Sequence, residues 1–200
     1  MSEARQRSEG GCRLESATRR GFLASVSVLA LDAAAGALAT PALAQPESER
    51  PQEGDLLVAL DSEKPLPLKP SDIPTGGPPV LAWPMEPAGK LVRNGSRLNK
   101  VLLLRLDPAT LKGVTQDRAA AGVVAYSAIC PHAGCEVTVW VDGQKIFECS
   151  CHYSHYNPRD AAAVIDGPAT RALPALPLKI VDGQLAVAKS FTSRPGIAPA

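Results

Sequence analysis

Two short stretches, Cys130-Pro-His-Ala-Gly-Cys135 and Cys149-Ser-Cys-His-Tyr-Ser154, decide the interpretation of this chain. We call them the first box and the second box. Each contains a cysteine followed within three residues by a histidine, and each has one further cysteine. Thiolates and imidazoles are ligands that soft and borderline transition metals prefer. The boxes therefore predict a metal site with Cys130, His132, Cys149 and His152 as candidate ligands.

The segment between the boxes predicts how they meet. Residues 136 to 141 and residues 144 to 149 are rich in β-branched and aromatic side chains, and Asp142-Gly143 separates them. An Asp-Gly pair between two such runs is typical of a β-hairpin with a two-residue type I′ turn. A hairpin brings its open ends together, so we expect both boxes at one end of a small sheet.

The spacing Cys-x-His and Cys-x-x-His, with one spare cysteine in each box, resembles the Rieske iron-sulfur proteins over residues 98 to 190. The resemblance implies a 2Fe-2S cluster with one iron held by Cys130 and Cys149 and the other by His132 and His152. Neutral imidazoles in place of two thiolates make the oxidised core formally neutral, which raises its reduction potential. The implied fold is all-β: a Rieske-type antiparallel β sandwich with a small cluster-binding subdomain.

The same resemblance assigns roles to residues around the ligands. It implies a disulfide between the spare cysteines, Cys135 and Cys151. It implies that the hydroxyls of Ser154 and Tyr156 donate hydrogen bonds to cluster sulfurs, which favours the reduced state. It also implies that a loop containing Gly167 and Pro168 covers the cluster from a third side.

The sequence alone leaves two other interpretations of the boxes open. Two cysteines and two histidines are a common ligand set for structural zinc. With zinc bound there, the chain would be a zinc-stabilised periplasmic binding protein. Four cysteines in an exported protein also form ordinary disulfides. We expect His155 to be exposed and to lie outside the ligand set.

The first 44 residues predict export. Thr18-Arg-Arg-Gly-Phe-Leu23 matches a twin-arginine signal ahead of an Ala-rich apolar stretch, which ends in Ala42-Leu-Ala44 as a cleavage signature. We therefore expect a periplasmic protein that is exported folded. A retained leader would instead anchor the chain in the inner membrane, and only then would it contact a membrane. Asp32 in the middle of that stretch disfavours the anchor.

The remaining chain divides by composition. Residues 46 to 87 contain ten prolines, which disfavour helices and interior strands. We predict a disordered tether over residues 45 to 54, extended loop-rich structure on the domain surface over residues 55 to 97, and the Rieske domain over residues 98 to 192. Within that domain we expect strands at residues 101 to 106 and 123 to 129, and a hairpin at residues 178 to 187 that turns at Asp182-Gly183.

Charge and length limit the function. Without residues 1 to 44 the chain has 16 basic and 16 acidic residues, so nothing indicates nucleic-acid binding. The resemblance implies a one-electron carrier subunit of an oxidoreductase. The setting it favours is a small subunit of an arsenite-oxidase-type enzyme or a free-standing carrier, and the alternative is the Rieske subunit of a cytochrome bc complex. The implied partner is a molybdenum oxidase large subunit, a cytochrome b or a cytochrome c.

Overall fold

The computed structural model describes residues 45 to 60 and 64 to 198 of the 200-residue chain. The described residues contain one short α-helix, α1 (Val114–Arg118), and single 3₁₀ turns at Pro46–Ser48, Pro70–Asp72, Arg97–Asn99 and Pro108–Thr110. Their strands are β1 (Leu56–Ala59), β2 (Val80–Glu86), β3 (Leu91–Val92), β4 (Val101–Arg105), β5 (Val123–Ser127), β6 (Val139–Val141), β7 (Ile146–Cys149), β8 (Ser154–Asn157), β9 (Ala163–Asp166), β10 (Leu178–Val181) and β11 (Gln184–Val187).

These strands form two antiparallel sheets. The larger has the order β10-β11-β1-β2-β4-β5, with β3 paired to β2, and the smaller has the order β6-β7-β8-β9. The fold is therefore all-β, and the small sheet with its adjoining loops is the subdomain that contains both boxes. The strands predicted near residues 101 and 123 are present as β4 and β5, ending one and two residues earlier than expected.

The apolar strand β4 joins the two parts of the core. Leu103 lies in a buried cluster on one face of the large sheet, together with Leu57. Leu102 lies in the cluster on the other face, which also contains Phe147 and Tyr156 of the small sheet. A strand buried on both faces needs a continuous apolar run, which β4 has. The small sheet is thus held against the large one by the same core that surrounds the boxes.

The prediction for residues 45 to 97 is wrong in two respects. Strands β1 and β2 lie inside the large sheet, between β11 and β4, rather than in a surface layer of loops. Residues 45 to 54 are not a free tether, because the backbone N–H of Gly95 donates to Glu47 and that of Gly54 donates to Val187. The chain on both sides of residue 98 therefore shares one sheet.

Strand β2 accommodates Pro84 because this residue lies where the neighbour of β2 changes from β4 to β3. The carbonyl of Pro84 accepts a hydrogen bond from the backbone N–H of Arg93, just beyond β3. The N–H and carbonyl of a residue in an antiparallel strand point to the same neighbour. The nitrogen of Pro84, which has no hydrogen to donate, therefore faces the point where β2 stops pairing with β4 and begins pairing with β3. The nitrogen does not face β1, so no hydrogen bond between β1 and β2 is lost.

The two Asp-Gly hairpins differ. Asp182 and Gly183 both have positive φ and directly connect β10 to β11, as predicted for a type I′ turn. The turn between β6 and β7 is longer, because Val141 pairs with Ile146 and four residues lie between them. There the positive φ falls on Lys145. The hairpin is present, but the two-residue turn expected at Asp142-Gly143 is wrong.

The predicted leader, residues 1 to 44, lies outside the described residues. Within the described part of the chain, no helix has the length and apolar character that crossing a bilayer requires.

A buried ion pair fixes the start of the described chain to the large sheet. The guanidinium of Arg93 donates to both carboxylate oxygens of Asp55, at 2.6 and 3.3 Å, and the two side chains are almost fully buried. A further nitrogen of Arg93 contacts the carboxylate of Glu49 at 3.1 Å. The hydrogen bond with Asp55 raises the pKa of Arg93, so the guanidinium stays charged.

Replacing Arg93 with Met should lower the free energy of unfolding by about 4 kcal/mol, because it leaves the buried Asp55 carboxylate without its counter-charge. Urea denaturation followed by circular dichroism measures this loss. Lys179→Met is the matched control, since it removes an exposed ion pair with Glu53 and should leave the stability nearly unchanged. Equal losses in the two variants would contradict a structural role for the buried pair.

Candidate metal centre

The first box forms a tight loop after β5. The backbone N–H of Cys130 donates to the carbonyl of Cys135, and that of Gly134 donates to the carbonyl of Cys130, so the loop closes on itself. Gly134 has a φ of +74°, which a residue without a Cβ adopts most easily. This closure buries the side chain of Cys130 and leaves that of His132 exposed.

The second box forms the turn between β7 and β8. Cys149 is the last residue of β7, and its carbonyl accepts a hydrogen bond from the N–H of Tyr153. Tyr153 has a φ of +58°, and this reversal lets Ser154 pair back with Cys149 in the ladder. As in the first box, the candidate cysteine ligand, Cys149, is buried and the candidate histidine ligand, His152, is exposed.

The structure brings the predicted ligands together in two pairs, the two histidines and the two cysteines. The rings of His132 and His152 lie with their centroids 4.7 Å apart and nearly perpendicular, while Cys130 and Cys149 carry free thiols on the buried side. Burial raises the pKa of Cys149, and neighbouring Cys130 raises it further, because two thiolates close together in a dry site are unfavourable. A bound cation removes that penalty, so the donor set fits a metal group with thiolates on its inner side and imidazoles on its outer side.

The spare cysteines form the disulfide that the family resemblance implies. Cys135 and Cys151 are bonded, with their Cα atoms 6.5 Å apart, and the bond joins the first box directly to the second. The sulfurs of Cys135, Cys149 and Cys151 all lie within 4.8 Å of one another. This trio is not a metal site of its own, since sulfurs in a disulfide cannot act as thiolate ligands.

Tyr156 lies against the thiol side of the site. Its hydroxyl is 3.1 Å from the Sγ of Cys130, and the ring is completely buried. Burial raises the pKa of Tyr156, and the contact with Cys130 raises it further, so the hydroxyl keeps its proton. A protonated phenol donates a hydrogen bond to a neighbouring thiolate, and this is the role that the resemblance implies for Tyr156 once a metal group holds Cys130 as a thiolate.

Ser154 connects the second box to the loop at Gly167 and Pro168. Its buried hydroxyl accepts a hydrogen bond from the backbone N–H of Ala169 at 3.2 Å, which leaves the hydroxyl proton available to a further acceptor. Gly167 has a φ of +90°, and a Cβ there would lie 2.5 Å from the Cα of Ser154. The loop can approach the second box this closely only because residue 167 has no side chain. Pro168 is exposed beside it.

His155 does not join the site. It is half-buried rather than exposed as expected, and its Nε2 lies 2.8 Å from a carboxylate oxygen of Glu148 on the neighbouring strand. Ser154 and Tyr156 flank it in β8, so their side chains point to the opposite face of the sheet.

One part of the site was missed at the sequence level, namely the chain end near residue 196. Arg171 follows the Gly167 loop and donates hydrogen bonds to the carbonyls of Arg194 and Gly196. Ile197 in turn lies 3.6 Å from the position that a Cβ on Gly134 would occupy. This segment thus connects the loop that contains Gly167 and Pro168 to the first box. It carries no periodic apolar pattern and no ligand-type residue that would have identified it.

Comparisons with known proteins place this site in a family. Residues 105–177, which contain both boxes and the Gly167 loop, match the model of the Rieske [2Fe-2S] domain. The chain is 33% identical over 133 residues to a cytochrome bc1 complex Rieske iron-sulfur subunit of Streptomyces lividans, covering 65% of this chain and 76% of the relative. It is 40% identical over 89 residues to a putative respiratory nitrate reductase subunit Rieske of Haloferax mediterranei, covering 44% of this chain and 40% of the relative.

Among solved structures, a chain of a hyperthermophilic respiratory Complex III matches with 25% identity and a TM-score of 0.40, covering 59% of this chain and 70% of that one. A bc1 subunit of Streptomyces coelicolor is covered over only 37% of its length. The chain therefore spans well under half of some relatives that it matches.

The close approach at Gly167 can be tested by substitution. Gly167→Ala should lower the free energy of unfolding by about 3 kcal/mol, because it combines an unfavourable positive φ with a clash against the backbone of Ser154. Gly54→Ala is the matched control, since Gly54 has a φ of +91° but no atom within 4 Å of its Cβ position. That variant should lose about 1 kcal/mol. Denaturant unfolding compares the two, and equal losses would mean that the loop does not press on the second box.

Proposed function

The chain belongs to the Rieske family of iron-sulfur proteins, and we propose that it transfers single electrons within an exported oxidoreductase. The observation that carries the proposal is that the two boxes, joined by a disulfide, pair Cys130 with Cys149 and His132 with His152, with the thiols buried and the imidazoles exposed. A 2Fe-2S cluster held there supplies a one-electron redox couple. The chain itself supplies the binding, the electrostatics and the exclusion of water.

The residues around the site support a raised reduction potential. Cys130 and Cys149 are screened from water, and the hydroxyl of Tyr156 points at the sulfur of Cys130. A hydrogen-bond donor to sulfur stabilises the more negative, reduced state. The exposed rings of His132 and His152 place the edge of the site at the surface, where a partner protein can exchange an electron with it.

We favour an electron-transfer subunit of the arsenite oxidase type, or a free-standing carrier, with a molybdenum oxidase large subunit or a cytochrome c as partner. The run Asn157-Pro-Arg-Asp160 and the Gly-Pro-Ala-Thr loop followed by Leu173-Pro resemble the small subunit of that enzyme. A relative named as the Rieske subunit of a putative respiratory nitrate reductase agrees with an oxidoreductase other than a bc complex.

The second candidate is the quinol-oxidising Rieske subunit of a cytochrome bc complex, with a cytochrome b as partner. Relatives named as bc1 subunits favour it, and so does Tyr156, which resembles the residue of the bc proteins at this position. The zinc-stabilised binding protein does not agree with membership of the Rieske family.

We also propose that the chain works in the periplasm after folded export. Support comes from the twin-arginine pattern at Thr18–Leu23 and from the Cys135–Cys151 disulfide, since disulfides persist in oxidising compartments. A bc-type subunit would instead keep its leader as an inner-membrane anchor.

Replacing any one of Cys130, His132, Cys149 or His152 with Ala should abolish the rhombic EPR signal of the reduced protein, because each would remove one ligand of the cluster. EPR and iron analysis of the purified variants measure this loss. His155→Ala is the control and should retain the signal. A cluster that survives His152→Ala but not His155→Ala would contradict the ligand assignment.

Tyr156→Phe should lower the midpoint potential by about 40 mV with the cluster intact, as expected for a hydrogen bond worth about 1 kcal/mol more in the reduced state. Ser154→Ala should lower it in the same direction, since it removes the second hydroxyl donor. Redox titration measures both shifts. Tyr153→Phe is the control, because Tyr153 lies in the turn directly before β8 but is 65% exposed. An unchanged potential in Tyr156→Phe would contradict the tuning role.

The setting can be decided by purifying the tagged full chain from its native membranes and periplasm. Molybdenum without haem b in the purified complex is the result expected for the oxidase-type enzyme, and an isolated red-brown protein is expected for a free carrier. Haem b with quinol-dependent reduction of the cluster would establish the bc alternative instead. A colourless protein without iron would contradict the proposed function altogether.

A further inference from the structure

Three adjoining cavities form a groove beside the first box. Their volumes are about 230, 150 and 240 Å³, and Arg194 and Pro195 line all three. Arg97 lines the first cavity, and Arg50 lines the other two. We call this surface, defined by Arg50, Arg97 and Arg194, the arginine groove. All three side chains are exposed.

Among the described residues, the arginines of the groove form no ion pair. Across residues 45 to 60 and 64 to 198, no carboxylate lies within ion-pair distance of any of its three guanidinium groups. The nearby carboxylate of Glu49 is engaged by Arg93 instead. An exposed arginine presents several N–H donors in a planar fork that matches a carboxylate. The groove is therefore suited to an anionic ligand.

Hydroxyl groups between the arginines add further donors. Ser48 and Ser96 line the second cavity, and Ser190 and Ser193 line the third. The hydroxyls of Ser96 and Ser193 each accept a hydrogen bond from the chain, which leaves their protons available to a ligand. Donors spread over three cavities suit several carboxylates in succession better than one compact oxyanion.

The groove ends at the first box. A guanidinium nitrogen of Arg97 lies 3.7 Å from the position of a Cβ on Gly134, and Gly134 is two residues after His132. The backbone of Arg194 is tied by Arg171 to the loop that covers the second box. Ala133 and Gly134 line the first cavity, so a molecule bound in the groove lies against the loop that carries His132.

We propose that the arginine groove binds an acidic segment of the redox partner protein and so aligns that partner with His132 and His152. The inference rests on the proposed electron-transfer function, and it adds the charge and the contact site of the partner. Opposite charge across an interface speeds association and selects the partner.

The test uses the full chain and a fluorescently labelled oligoglutamate peptide at low ionic strength. Fluorescence anisotropy should show binding that weakens as salt is added. The double variant Arg97→Gln/Arg194→Gln should raise the Kd about tenfold or more, since it removes two charged hydrogen-bonding groups. The control Lys69→Gln/Lys112→Gln has the same change in charge at two exposed lysines outside the groove. It should change the Kd by less than about twofold if binding is local rather than a response to net charge.

Absence of peptide binding, or equal weakening in both double variants, would overturn the proposal. Inorganic phosphate that binds as tightly as the peptide would indicate a small-oxyanion site and also overturn it. Binding to phosphatidylglycerol vesicles without binding to the peptide would indicate a membrane contact and have the same consequence. EPR of the same sample separates the two hypotheses, because a normal cluster signal without peptide binding contradicts the groove alone, and a missing signal contradicts the electron-transfer function.

Discussion

The disulfide between Cys135 and Cys151 is the constraint on which the rest of the site depends. The two boxes are loops, and along the chain they are connected by strands β6 and β7 of the small sheet. The covalent bond joins the loops directly, so the candidate ligands on either side of Cys135 and Cys151 in the sequence are held in two neighbouring loops. Closing the 16-residue separation in this way stabilises the fold by about 3 kcal/mol in the chain-entropy model.

In that arrangement the site has a buried thiol side and an exposed imidazole side. The thiols of Cys130 and Cys149 point into the same apolar cluster as Tyr156, while the rings of His132 and His152 face outward. Charge on the sulfurs is therefore kept in a dry environment with few donors, where a single hydrogen bond has a larger effect than it has in water. The exposed imidazoles give the site one accessible edge, and the arginine groove lies beside that edge.

The two boxes and the Cys135–Cys151 disulfide could be predicted before the structure was known, whereas much of the scaffold could not. Ligand chemistry needs particular residue types at fixed spacing, so the boxes and the spare cysteines could be recognised without a structure. The hairpin at Asp182-Gly183 was also predictable, because both residues take the positive φ that its turn requires. At Asp142-Gly143 the same dipeptide led to a wrong prediction of a two-residue turn, because the longer turn places the positive φ on Lys145.

The errors in the scaffold have physical causes as well. Prolines near β1 and β2 suggested surface loops, but Pro84 sits where its strand changes partners and costs no ladder bond. The contact of Ile197 with the first box depends on tertiary packing and on Arg171, which no local pattern records.

The central claim is that the two boxes hold a 2Fe-2S cluster between two inner thiolates and two outer imidazoles. Pulsed ENDOR on the reduced protein labelled with ¹⁵N-histidine tests this claim most directly. The account predicts two strongly coupled histidine nitrogens on one iron. A spectrum with one such nitrogen, or with none, would contradict it.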